Sequence, residues 1–198
     1  MKRKIYFTIN LPEISGNQIK GFLLNLRTNP EVRKMPISWT EGKSLHIPLT
    51  FLGAIGEEAL LHAIDSGQMA ASLFQPFWVK VSGISYFYRS KTGHGSTIFI
   101  DISDPEKILK NIHKNLTSYL SEAEFSPATR FNPYIVVGEL ERSKKEHEQK
   151  EYLYELSQIE VSGIEPILID KIDVVEMTNQ DFINPKFAVV RSFQLGSN

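Results

Sequence analysis

The sequence predicts an α+β fold: two pseudosymmetric lobes of mainly antiparallel strands, with helices packed outside and a central cleft between them. Three observations point there. Runs with period-two alternation are mixed with runs of helical period, without the strict strand-helix-strand cadence of a parallel sheet. No linker rich in Gly, Ser or Pro and no low-complexity tract divides the chain, so residues 1–198 read as a single bilobal domain. A weak internal echo completes the case. One strand-and-helix series ends in LHIPLTFLG and a later one in FNPYIVVGE, as two similar lobes across a cleft would produce.

The elements follow in order. KIYFTINL (4–11) alternates, is rich in β-formers and stops at Pro12. SGNQIKGFLLNLRTN sets Ile19, Phe22, Leu23 and Leu26 at helical spacing, with Pro30 beyond its end. Two short strands, 37–40 and 45–52, flank the turn signal Glu41-Gly42-Lys43. EEALLHAIDSGQMAASLF is an amphipathic helix. FWVKVSGISYFY and STIFIDI are strands around the loop RSKTGHG, and DPEKILKNIHKNLTSYLSEA is a helix with Asp104 as its cap ahead of Pro105. RFNPYIVVGEL is a strand and RSKKEHEQKEYLYELSQ a charged helix. PILIDKIDVVEMT and PKFAVVRSFQL close the chain as two strands of a hairpin.

Composition narrows the chemistry. The chain is 41% hydrophobic and 23% charged, ordinary for a globular protein with a real core. It has no cysteine, so a disulfide framework, a thiolate metal site and a cysteine nucleophile are all excluded. The opening apolar run is broken by Asn10, Pro12 and Glu13 before it reaches the length of a signal-peptide core, and no window has the apolar length of a membrane span. A cytoplasmic monomer without membrane attachment is the expectation. With a net charge of −1, wholesale nucleic-acid binding by charge is not indicated. Lys2, Arg3, Lys4, Arg27, Arg33, Lys34, Arg89, Lys91 and Arg130 are the residues that a local basic patch would draw on.

YFTINLP, ISWTEGKSLHIPLTFLG, FSPATRFNPYIVVGEL and the final IDVVEMT…FAVVRSFQLG resemble, in order and spacing over nearly the whole chain, the two-histidine phosphoesterase superfamily. Within it the resemblance is to the RNA 2′,3′-cyclic phosphodiesterases, also called 2′-5′ RNA ligases. That resemblance implies two motifs of the form His, apolar, Thr or Ser, apolar, one per lobe. Residues i and i+2 of a strand share a face, so each motif presents an imidazole and a hydroxyl to the cleft. It also implies acid-base catalysis on a nucleotide or RNA end carrying a cyclic phosphate, without metal or other cofactor. The carry-over is incomplete. The first motif is His46-Ile47-Pro48-Leu49 and the second Tyr134-Ile135-Val136-Val137, so three of four motif positions have changed. Pro48 and Val136 have no side-chain donor for a phosphoryl oxygen. Tyr134, with an ordinary pKa of about 10, is a poor proton donor near neutrality, and losing one acid-base partner costs a factor of about 10² to 10⁴.

Other residues are weighed beside these. His94, in the glycine-flanked KTGHGS, is a loop imidazole that could replace the missing partner, and Arg89, Lys91 or Arg130 could meet a phosphate. Trp39, Tyr86, Phe87, Tyr88 and Phe131 are candidates for stacking a base, with Phe131 and Tyr134 foremost because they flank the expected cleft. His62 and His113 read as helix-face residues. His147 lacks a second histidine at metalloprotease spacing, and SKTGHGS fits neither the Walker loop nor the dinucleotide fingerprint. The residues leave two readings open. One is an enzyme using His46 with Tyr134 or His94. The other is an inactive binding module, whose cleft holds a nucleotide or RNA end against Pro48 and Val136.

Overall fold

The computed structural model describes residues 2–89, 95–128, 130–141 and 146–196. In chain order the elements are β1 (Arg3–Asn10), α1 (Glu13–Thr28), β2 (Ile37–Trp39), β3 (His46–Ile55), α2 (Glu57–Ser72), β4 (Phe77–Phe87), β5 (Ser96–Ser103), α3 (Ile108–Glu122), β6 (Tyr134–Leu140), α4 (Glu146–Ser157), β7 (Ile167–Ile169), β8 (Lys171–Met177) and β9 (Phe187–Gln194). Every strand pairing is antiparallel. The strands form two sheets, β3-β1-β8-β9 and β2-β6-β5-β4-β7, and the expected α+β class holds.

The internal echo is a true repeat of pairing. β1, α1, β3, α2 in one half correspond to β5, α3, β6, α4 in the other: β3 pairs with β1 as β6 pairs with β5, and β8 flanks β1 as β4 flanks β5. One irregularity is shared, while β3 carries a further register shift at Leu52. Thr8 faces Pro48 while Phe7 faces Thr50, which leaves Leu49 as the extra residue of a bulge. Phe99 faces Val136 while Ile98 faces Gly138, which leaves Val137 in the same place. A bulge reverses the in-out alternation beyond it. His46 and Pro48 are therefore half-exposed while Leu49 and Thr50 are buried, and Tyr134 and Val136 are half-exposed while Val137 and Gly138 are buried.

Each sheet buries one face under helices. Ile5, Phe7, Ile9, Ile47, Val174 and Phe193 make the covered face of the first sheet, and α2 comes so close that a Cβ on Gly67 would lie 2.6 Å from the Phe193 ring and 2.7 Å from Phe7. On the second sheet Ile98, Ile100, Ile135 and Leu140 play that part. Burying each such side chain is worth about 1.5–3 kcal/mol. The opposite faces look into the cleft. β2 pairs only with Gly138–Leu140, and β6 also packs against β3 of the other sheet. The motif strands meet at that seam.

Two local expectations are corrected. PILIDKIDVVEMT is not one strand: β7 pairs with β4 and β8 with β1, so the chain changes sheets at Asp170. The third helix begins at Ile108 rather than near Asp104. Asp104 still caps it across the intervening turn, its carboxylate accepting the N–H groups of Ile108 (2.8 Å) and Lys110 (3.2 Å). Among the described residues no helix is long and apolar enough to cross a membrane.

Candidate functional site

His46 and Tyr134 open the two equivalent strands, β3 and β6. His46 lies opposite Asn10 and shares its face with Pro48, which is opposite Thr8. The imidazole is fixed by one hydrogen bond, from Nδ1 to the Ser44 carbonyl at 2.7 Å. A carbonyl only accepts, so Nδ1 carries the proton and Nε2 the lone pair. Among the described residues Nε2 has no hydrogen-bond partner, and it is not sealed from solvent. The ring edge meets Phe187 at 4.9 Å. Burial pushes the His46 pKa down, and the bond to Ser44 opposes this only in part, so the residue is neutral and basic at Nε2 near pH 7.

The loop that joins β8 to β9 holds this corner in place. Ser44 Oγ donates to the Pro185 carbonyl (3.1 Å), the Glu41 N–H to Asn184 Oδ1 (2.5 Å) and Asn184 Nδ2 to the Trp39 carbonyl (3.4 Å). The Ser44 carbonyl that selects the histidine tautomer thus sits on a segment tied at both sides.

Tyr134 faces Asp101 across the β5–β6 ladder. Its ring packs against Phe99 (5.0 Å) and Phe87 (5.4 Å), which touch each other at 4.4 Å. Burial raises the phenol's pKa, and the charge of the Arg89 guanidinium pulls it back in part. Tyr134 is therefore a neutral donor with a cation beside it. Across the cleft a second aromatic group answers it: Tyr6 stacks on Phe51 at 4.3 Å and leans on Phe187 at 5.8 Å.

Beneath His46 runs a polar row that sequence reading missed. Pro48, Thr8, Asp173 and Ser192 lie side by side across β3, β1, β8 and β9. They are on the face opposite the helix-covered one. Asp173, 1% exposed, accepts hydrogen bonds from Asn10 Nδ2 (2.7 Å) and from Ser192 Oγ. Thr8 Oγ1 is buried without a partner. The second lobe has its own carboxylate-hydroxyl pair, Ser85 donating to Asp101.

The expected residues thus divide. His46 and Pro48 lie on β3 and Tyr134 and Val136 on β6, two strands that pack against each other, and Arg89 is close enough to Tyr134 for its charge to act on it. Arg130 is exposed before β6. Phe131 has another partner: its ring lies flat on His113, 4.5 Å between centroids and 7° between planes. His113 is 3% exposed rather than on an open helix face, with burial lowering its pKa. His94 and Lys91 lie outside the described residues. Of the other basic residues, Arg3 pairs with Glu57 and Glu176, Lys34 with Glu31, and Arg27 lies over the Trp39 ring. His147 is exposed beside Glu151. A groove of about 500 Å³ between α1 and residues 159–163 is lined by Gln18, Phe22, Asn25 and Ser162 among others, without a titratable group.

Comparison with known proteins agrees with this geometry. The family model described as LigT-like phosphoesterase matches residues 17–96, which include the first motif. The chain is 27% identical over 143 residues to the RNA 2′,3′-cyclic phosphodiesterase of Archaeoglobus fulgidus, covering 72% of this chain and 76% of that one. It is 24% identical over 160 residues to the enzyme of the same name from Aquifex aeolicus, covering 80% and 81%. Among solved structures, E. coli LigT complexed with 3′-AMP superposes with a TM-score of 0.71 over 99% of both chains at 15% identity, which shows the shared fold. E. coli LigT complexed with ATP gives a TM-score of 0.69 over 100% of both chains at 14% identity. Fold and sequence similarity thus agree: the chain shares the fold of E. coli LigT and, over residues 17–96, is similar in sequence to the LigT-like phosphoesterases.

Proposed function

We propose that this protein, acting as one bilobal unit, is a metal-free cyclic phosphodiesterase. Its substrate is a nucleotide or RNA end carrying a 2′,3′-cyclic phosphate, and its turnover is slowed by the loss of one acid-base partner. The observation that carries the reading is the state of His46: Nδ1–H committed to the Ser44 carbonyl and Nε2 open as a base. A general base needs that lone pair within reach of water and a pKa not far below the working pH. The relatives that bear the name RNA 2′,3′-cyclic phosphodiesterase supply the substrate class.

In this mechanism the phosphate lies between His46 and Tyr134. His46 Nε2 takes a proton from the attacking water as its oxygen bonds to phosphorus. The bond from phosphorus to one ribose oxygen breaks, and that oxygen takes the Tyr134 proton, which solvent restores. Arg89 faces the phosphoryl oxygens and offsets the charge that grows on them. The test is hydrolysis, in the presence of a chelator, of an oligoribonucleotide ending in a 2′,3′-cyclic phosphate, beside the His46→Ala variant. Activity in the parent lost from the variant is the expected result. Equal activity in both removes His46 from the mechanism and overturns the reading.

One observation favours a second reading, a cleft that binds without turnover. Pro48 and Val136 stand where hydroxyls belong, and the Tyr6–Phe51 and Phe87–Phe99–Tyr134 groups give each lobe an aromatic wall. Such walls stack bases at about 1–3 kcal/mol each. Nucleotide binding by calorimetry with no hydrolysis by the parent chain would decide for this reading.

A further inference from the structure

We infer that Asn10 is a catalytic residue of this site, holding the attacking water jointly with His46 and biasing the reaction toward water over other hydroxyl nucleophiles. The inference rests on the functional reading above and concerns which nucleophile the cleft accepts.

Asn10 and His46 are directly opposed in the β1–β3 ladder, so their side chains leave the same face with Cβ atoms about 4.5–5.5 Å apart. Asparagine has one donor end and one acceptor end, and an ionised carboxylate only accepts. Asp173, buried under Asn10, therefore takes Nδ2 at 2.7 Å and dictates which way the amide turns. Oδ1 is left over. Among the described residues it has no partner and, like His46 Nε2, it is not sealed from solvent. Ser192 holds Asp173 from the other side, so the orientation is set by a network rather than by one contact.

The cleft thus offers two acceptors side by side, Asn10 Oδ1 and His46 Nε2, each in need of a donor. Water brings two O–H groups and satisfies both, with its lone pair left to attack phosphorus. An alcohol or a ribose hydroxyl brings one, and leaves an acceptor bare. In the step itself the proton facing His46 passes to Nε2 and the new bond forms from water oxygen to phosphorus. The bond to the departing ribose oxygen breaks as that oxygen takes the Tyr134 proton, while the proton on Asn10 Oδ1 stays with the product.

The experiment measures how a 2′,3′-cyclic mononucleotide partitions between hydrolysis and methanolysis in water-methanol mixtures. Asn10→Ala removes the acceptor, and Asp173→Asn frees the amide to turn its donor end outward. Each is expected to lower kcat for hydrolysis about tenfold, the worth of one hydrogen bond, with KM retained, and to shift products toward the methyl ester. A fall in rate without a change in partition would mean a structural role only and would overturn the inference. An activity-independent reading separates it from the parent proposal. Asn10→Asp, made in the Asp173→Asn background so that the new carboxylate does not share a proton with Asp173, places a negative charge opposite His46 and is expected to raise the His46 pKa measured by NMR. A His46 pKa unmoved by that variant shows that the two groups share no pocket and overturns the inference. A parent chain without turnover but with the shifted pKa overturns only the assigned reaction, and the acceptor pair then stands as a water site.

Discussion

Returning a histidine to position 134 tests the whole reading of the cleft. In the Tyr134→His variant the second lobe again offers an imidazole at the first residue of β6, the pseudosymmetric counterpart of His46. An acid-base partner is worth a factor of about 10² to 10⁴, or about 2.7–5.4 kcal/mol of barrier. The structure places this gain at the lower end near neutrality. The burial that raises the phenol's pKa would lower that of an imidazole, and the Arg89 charge acts in the same direction. Little of the new histidine is then protonated at pH 7. We therefore expect a gain of about 10²-fold at pH 7 that grows as pH falls, until His46 itself begins to protonate. Adding Arg89→Gln should enlarge the neutral-pH gain if charge is the limit, at some loss of phosphate affinity. The loss of aromatic contacts with Phe87 and Phe99 costs about 0.5–1.5 kcal/mol each in stability, tolerable for a folded variant. Initial rates on a 2′,3′-cyclic mononucleotide across about pH 5 to 8, with circular dichroism to confirm the fold, give the answer. A folded variant with no gain anywhere in that range refutes the claim that Tyr134 occupies the site of a proton donor.

Further outcomes follow from other parts of the structure. Folding depresses the pKa values of His46 and His113, so between the folded values and about 6.5 the unfolded chain binds more protons. Stability is full above about pH 6.5 and falls as pH drops through that value; urea midpoints should decline from pH 7 to about 5, less so in His113→Phe, and an unchanged slope in that variant would count against the assignment. Gly67→Ala forces a methyl against Phe7 and Phe193, so a loss of about 1–3 kcal/mol is expected from overpacking, and a neutral result in urea denaturation would show that α2 can shift at no cost. Arg89→Ala should weaken binding of 3′-AMP about tenfold or more, the worth of a charged hydrogen bond, and isothermal titration giving unchanged affinity removes Arg89 from the phosphate site.

The order of strands and helices was legible because period-two and period-3.6 patterns are local. His46, Tyr134, Pro48 and Val136 were singled out by the resemblance of two strand segments to the family's paired motifs, and period-two spacing added that each pair shares a face. What escaped depends on partners distant in sequence. The continuous apolar run across 166–178 hides a change of sheet at Asp170, because a strand's own residues do not record which neighbour it pairs with. Asp173 looks like an ordinary charge breaking an apolar strand until β1 and β9 bring Asn10 and Ser192 to it. Asn10 sat within the quoted YFTINLP, and only the ladder register identifies it as the residue opposite His46. Phe131 was misleading for the converse reason. Its place near the second motif suggested the cleft, while a buried histidine 18 positions earlier claims its ring.

The paired bulges at Leu49 and Val137 have a bearing on how such a chain can change over time. Each divides its strand into a leading part that bears His46 or Tyr134 and a trailing part, with the alternation shifted between them. Substitutions upstream of the bulge, such as proline at 48 or tyrosine at 134, leave the downstream packing pattern where it was. The fold is thereby insulated from experiments in its own chemistry, and each lobe can lose, keep or exchange its reactive pair independently of the other.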